Sequence, residues 1–198
     1  LAAVHSSGRD RNSIWEGLRN KETYGTSGDR ILLWFDLVQG KTISPMGSTV
    51  TQTSNPVFRI KAVGAFEQKP GCPDYSATNI TQEHLERICK NECYNPSDRR
   101  KNISQIEVVK ITPQITQNEP LESLIKDTWK TFECKPSQEG CEVEFFDPEF
   151  ESEGRDSIYY VRAIQEPSPV INGGNLRCSY DENGECIKVN ICYGDSRT

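Results

Sequence analysis

Ser157-Ile158-Tyr159-Tyr160-Val161-Arg162-Ala163-Ile164-Gln165 is the stretch that decides the fold. Ile158, Tyr160, Arg162 and Ile164 alternate with Tyr159, Val161 and Ala163, and β-branched and aromatic side chains dominate both sets. A period of two with that composition specifies a strand. Working outward, the same signal recurs. Glu142–Phe146 and Ile103–Ile111 read as strands. Val57–Phe66 alternates Val57, Arg59, Lys61 and Val63 against Phe58, Ile60, Ala62 and Gly64. Ile31–Val38 is an apolar strand, and Ile187–Ile191 a short last one. Short strands separated by Pro, Gly and Asn loops, with little helix, predict a mainly β protein. Its expected fold is an antiparallel β-sandwich with short helical insertions.

Helical signals are few. Ser13-Ile14-Trp15-Glu16 has the pattern of a capping box, with Ser13 at the N-cap and Ile14, Trp15 and Leu18 on one face. That helix is expected to stop before a Gly-bounded turn at Tyr24-Gly25-Thr26-Ser27-Gly28, and Leu1–His5 reads as the tail of a buried strand. Two insertions interrupt the strands. Pro70–Arg100 holds a helix at Thr81–Lys90, capped by Thr81, with Leu85, Ile88 and Cys89 inward. Pro113–Trp129 holds a helical stretch at Leu121–Ile125.

The chain has 198 residues, enough for one domain or two small ones. Lys and Arg number 23 against 29 Asp and Glu, so the net charge is 23 − 29 = −6. This excludes the basic footprint of a nucleic-acid binder. Mean hydropathy is −0.66, and no run approaches the ~18 apolar residues of a membrane span.

Eight cysteines are present: Cys72, Cys89, Cys93, Cys134, Cys141, Cys178, Cys186 and Cys192. Their spacings include no C-x-x-C knuckle, which favours disulfides and an oxidising compartment over a zinc site or a redox motif. Cys134–Cys141 is the expected first bridge, across the loop Lys135–Gly140, and Cys178–Cys186 the next, across Asp181–Gly184. Spacing leaves the partners of Cys72, Cys89 and Cys93 open. The chain starts at Leu1 and not Met, so the signal of an exported protein would lie upstream.

Candidate chemistry is sparse. The two histidines, His5 and His84, lie far apart and read as a strand-end residue and an exposed helix residue. Gly25-Thr26-Ser27-Gly28 with Arg30 suits either an anion-binding turn or a plain chain reversal. Nucleophile-elbow, phosphate-loop and dinucleotide fingerprints are absent. The acidic residues Asp147, Glu149, Glu151, Glu153 and Asp156 read as a solvated loop without the glycine punctuation of a calcium loop. Trp15, Trp34, Trp129, Tyr159 and Tyr160 suit core packing better than a sugar platform. Asn79-Ile80-Thr81 and Asn102-Ile103-Ser104 are glycosylation sequons.

Several stretches resemble one family. They are Leu1–His5, Arg11–Arg19, Lys21–Leu33, Pro45-Met46-Gly47, Phe66–Tyr75, Cys93–Asp98, Ile106–Val109 and Tyr159–Ile164. Together they are similar to the bacterial family called domain of unknown function 3604, itself similar to PHP-type (polymerase and histidinol phosphatase) metal-dependent hydrolases. The resemblance implies that residues 1–30 end an upstream barrel-like hydrolase domain and that residues 31–198 form its disulfide-bonded C-terminal sandwich. It also implies a periplasmic or secreted protein. The divalent metal would sit in the upstream domain, since the family's His-x-His and Asp-x-His motifs are absent here. This chain would hold no cofactor and no catalytic residue of its own. The implied partners are that upstream domain and a small-molecule substrate of unknown class, with Thr26, Ser27, Gly28 and Arg30 nearest the site. The competing expectation is a free-standing secreted module that binds glycan or protein.

Overall fold

The computed structural model describes residues 1–78, 80–89, 93–168, 177–182 and 186–190. In chain order the elements begin with β1 (Ala2–Val4), α1 (Arg11–Arg19), β2 (Thr23–Gly25), β3 (Leu32–Gln39), β4 (Thr42–Pro45), β5 (Val57–Val63) and β6 (Phe66–Gln68). A 3-10 turn at Asp74–Ala77 precedes α2 (Gln82–Cys89). Then come β7 (Pro96–Arg100), β8 (Ile103–Ile111), α3 (Leu121–Leu124), β9 (Ile125–Glu133), β10 (Cys141–Phe146), α4 (Phe150–Glu153) and β11 (Ile158–Gln165). The last two are β12 (Arg177–Tyr180) and β13 (Cys186–Asn190).

The chain divides into two compact units. The first comprises 1–68 and 96–167, and the second 69–95 and 168–198. The first is the expected antiparallel β-sandwich. A four-stranded sheet, ordered β10-β5-β3-β4, faces a three-stranded sheet, ordered β11-β8-β9. The registers explain the core. Phe145 pairs with Phe58 and Phe58 with Leu37, while Val143 pairs with Ile60 and Ile60 with Phe35. Those residues share the inward face of one sheet, and Ile106 and Val108 supply the inward face of the other. Phe58 is the aromatic hub, with ring centroids at 5.3 Å to Phe35, 5.3 Å to Phe145 and 4.6 Å to Tyr159.

Several expectations are corrected. The N-cap of α1 is Asp10, not Ser13. Asp10 accepts the backbone N–H groups of Asn12 and Ser13, both at 3.0 Å, and the Ser13 hydroxyl at 2.6 Å. A carboxylate has the stronger claim on the orphan N–H groups, so the helix starts a turn earlier. The Ser13 bonds in turn hold the Asp10 carboxyl below its usual range. Tyr24 and Gly25 do not form a turn: with Thr23 they make β2, which pairs antiparallel with β1. That ribbon is half-buried at most, so Leu1–His5 is no buried strand. The expected insertion at Pro113–Trp129 ends early, because α3 hands directly to β9. A bulge hid β9. Val108 pairs with Lys130 and Lys110 with Lys126, so Asp127, Thr128 and Trp129 oppose Val109 alone and the alternation breaks. Thr128 takes φ 51° there.

In the second unit, α2 is capped as expected, with the His84 N–H donating to Thr81 Oγ1 at 3.3 Å and Leu85 buried. Ile88, expected inward, is exposed. β12 and β13 form an antiparallel hairpin that sets Cys178 opposite Val189 and Cys186 opposite Tyr180. The side chains of Cys89, Cys178 and Cys186 lie outside the described residues, as do Asn79 and Cys192. Cys72 bonds to Cys93, a pairing that spacing had left open.

Cys134 bonds to Cys141 as expected. Cys134 follows β9 and Cys141 opens β10, so this bridge staples one sheet to the other. Replacing both cysteines by serine is expected to lower stability by about 2–3 kcal/mol, the loop-closure entropy of so short a ring. Urea unfolding of the double variant against the parent measures it.

Candidate functional site

Two polar clusters of the first unit bear on a candidate site. One is the junction loop that follows β2. The Thr26 N–H donates to the Leu1 carbonyl at 2.8 Å, and the Tyr24 hydroxyl to the Ile31 carbonyl at 3.0 Å. Asp29 anchors the loop. Its Oδ2 accepts Lys101 Nζ at 2.9 Å and the Gln165 side-chain amide, whose own oxygen accepts the Ala65 N–H at 3.0 Å. Arg100 donates to the Gly64 carbonyl at 2.8 Å and lies over the Phe66 ring at 3.8 Å. Gly64 has to be glycine, because a Cβ there would stand 1.9 Å from the Lys101 carbonyl oxygen. The loop is therefore held from below, with Ser27 and Arg30 exposed and Thr26 and Gly28 half-buried. Sequence reasoning named Thr26, Ser27, Gly28 and Arg30 but not Asp29, the residue that anchors them.

The remaining sequence candidates scatter. His5 donates through Nε2 to the Leu33 carbonyl at 2.7 Å, its ring between Tyr24 and Trp34. His84 is exposed in the second unit. Trp129 and Tyr159 belong to the core cluster. Trp15 and Tyr160 are exposed on separate elements, so no aromatic platform forms from these five residues. Asn102 donates its side-chain amide to Glu166 Oε1 at 2.9 Å and its backbone N–H to Oε2 at 3.0 Å, which ties up this sequon's amide. Among the described residues no three His, Cys, Asp or Glu side chains converge to hold a metal ion. The described part of the chain thus does not fit a divalent metal site.

The second cluster is one that sequence reasoning missed. The acidic stretch after β10 is not simply a solvated loop. Asp147 is 0% exposed, and so is Lys110 on β8. Lys110 Nζ lies 2.7 Å from Asp147 Oδ2 and 2.5 Å from Glu153 Oε2 on α4. The Tyr159 hydroxyl donates to Asp147 Oδ2 at 2.5 Å, and the Glu149 N–H to Asp147 Oδ1 at 2.9 Å. Lys126 spans Glu149 at 3.1 Å and Glu153 at 3.3 Å. The Trp129 ring closes the pocket 5.4 Å from Lys110 Nζ.

Electrostatics follow from this geometry. Burial alone would push the Asp147 carboxyl up. The Lys110 ammonium and the Tyr159 hydroxyl outweigh it and hold the carboxyl below its usual range. Glu153 behaves likewise, with burial opposed by Lys110 and Lys126. Burial and the neighbouring Asp147 charge push the Tyr159 hydroxyl well up, so it stays protonated and donates. A signal for this cluster was present. Lys110 falls in the inward series Ile106, Val108, Lys110, and a cation on a buried face demands a counter-charge. The counter-charges lie 37 and 43 residues further on, beyond the reach of any local pattern.

No curated protein and no solved structure matches the chain. A family model matches residues 1–173, the greater part of the chain, so the protein belongs to the family described as proteins of unknown function, DUF3604.

Proposed function

We propose that this chain is the non-catalytic C-terminal β-sandwich of an exported, metal-dependent, PHP-like hydrolase. Catalysis and the divalent metal belong to an upstream barrel-like domain of the same protein. The junction loop of Thr26, Ser27, Gly28 and Arg30 lies at the mouth of that domain's site, where a small-molecule substrate enters. The observation that carries this reading is α1. The one residue of this helix that is buried is Gly17, where a Cβ would fall 2.3 Å from the His5 carbonyl oxygen. Its apolar residues face outward. Trp15 is 65% exposed, Leu18 49% and Ile14 36%, side by side with Arg11 and Asn12 along one shallow groove. A helix turned inside out in this way calls for a covering surface. The disulfides agree with an oxidising compartment.

Hydroxyl-radical footprinting tests the reading. Trp15 is expected to oxidise readily in the 198-residue chain and to be strongly protected when the chain is joined to its upstream sequence. Equal oxidation in both proteins overturns the docking. Turnover of a phosphoester by the 198-residue chain with added divalent metal overturns the non-catalytic assignment. Protection of Trp15 by a glycan or a foreign protein, and not by the upstream sequence, favours the free-standing binding module.

A further inference from the structure

We propose that Lys110 and Asp147 condense into an intramolecular amide cross-link, with Glu153 as the proton carrier. This inference is independent of any upstream domain, since every participating group lies in the first compact unit.

Each requirement of the reaction is present. The first is proximity. Lys110 Nζ and Asp147 Oδ2 are 2.7 Å apart, so the nitrogen and the carboxyl group are held in direct contact by two packed sheets. The second is a desolvated pair. Both side chains are 0% exposed, so the pair is held out of bulk water. The third is a base. Glu153 Oε2 stands 2.5 Å from Nζ, and Lys126 grips its other oxygen at 3.3 Å, which keeps the carboxylate ionised and aimed. The fourth is stabilisation of the tetrahedral intermediate. The Glu149 N–H, 2.9 Å from Asp147 Oδ1, donates to the oxygen that acquires negative charge. The fifth is activation of the departing oxygen, and the Tyr159 hydroxyl already donates to Oδ2 at 2.5 Å. The Trp129 ring lies 5.4 Å from Lys110 Nζ, and the buried pair is closed to bulk water, which would reverse the reaction.

The step balances without any co-reactant. The ammonium passes one proton through Glu153 to Asp147 Oδ2. The freed amine lone pair forms the C–N bond at the carboxyl carbon. A second proton from nitrogen follows the same route, the C–Oδ2 bond breaks, and Oδ2 leaves as water. The third proton stays on the amide nitrogen. One positive and one negative charge vanish from the core, and Glu153 returns to its carboxylate.

The cross-link would complete a pattern. Cys134–Cys141 already ties the start of β10 to the end of β9. An amide from Asp147 to Lys110 ties the other end of β10 to β8. The edge strand of the four-stranded sheet is then covalently joined to the opposite sheet at both ends.

Mass spectrometry of the purified protein, fully reduced and denatured, provides the test. The expected mass is lower than that of the sequence by one water. Digestion with trypsin is expected to yield a branched peptide joining Lys110 to Asp147, with no cleavage after Lys110. Glu153→Gln, verified as folded by circular dichroism, is expected at full mass. A wild-type protein at full mass, with the two peptides separate, overturns the proposal. So does a water deficit that maps to any unbranched peptide. A branched peptide that persists in folded Glu153→Gln overturns the role given to Glu153.

Discussion

Lys110→Met is expected to lower the stability of the sandwich by about 3–5 kcal/mol relative to the protein with an unbonded Lys110–Asp147 pair, the cost of stranding one partner of a buried ion pair. The substitution keeps the length of the side chain and its packing on Trp129, so the loss is electrostatic. Asp147 is left 0% exposed with only the Tyr159 hydroxyl and the Glu149 N–H as donors. Adding Asp147→Leu is expected to recover part of the loss, because a buried pair replaced by apolar side chains is often neutral. Chemical unfolding of Glu153→Gln, in which the pair stays unbonded, and of the single and double variants built on it measures the loss and its recovery. The acid limb reports the state of the pair. An unbonded Asp147 has its folded pKa below its unfolded value, so its contribution is complete above the ordinary carboxylate value of ~4. That contribution is lost as pH falls through the lower folded value. An amide carries no titrating carboxylate, so the cross-linked protein lacks this acid step.

Phe58→Ala is the second large effect, expected at about 3–5 kcal/mol. Phe58 is 6% exposed and touches rings from three other strands, Phe35 on β3, Phe145 on β10 and Tyr159 on β11. Removing the ring opens a cavity bounded by both sheets, and neither sheet can collapse into it without breaking its ladder. Phe58→Leu should cost much less, since it refills most of the volume. Thermal unfolding of the two variants distinguishes a packing loss from a general fragility. The same cavity lies beside Tyr159, so Phe58→Ala is also expected to loosen the Asp147 cluster, a coupling that a double-mutant cycle with Tyr159→Phe would register.

Much of the fold was legible locally. The alternation in Ile158–Gln165 and Val57–Val63 gave those strands their two sets of side chains, and the period of two leaves only the choice of which set faces inward. The seven-residue spacing of Cys134 and Cys141 likewise identified a bridge. What stayed hidden had physical causes. β9 was masked by its bulge, which breaks the alternation at Asp127–Trp129. β4 and β7 are short and polar and each carries a proline, so they look like loops until a neighbouring strand supplies their hydrogen bonds. The start of α1 was misplaced because Asp10 and Ser13 both suit a cap, and only backbone geometry chooses between them.

By itself, then, the sequence determined the mainly β class, the alternating side-chain sets of two principal strands, one disulfide and the net acidic charge. These follow from patterns a few residues long, where covalent geometry links spacing to direction. Only the tertiary structure decided which strands neighbour one another, that Cys72 pairs with Cys93, and that Asp29 anchors the junction loop through Lys101 and Gln165. It alone showed that Ile14, Trp15 and Leu18 face outward and that Lys110 meets Asp147 and Glu153 in the core. Those facts depend on residues tens of positions apart, brought together by the burial of two sheets against each other.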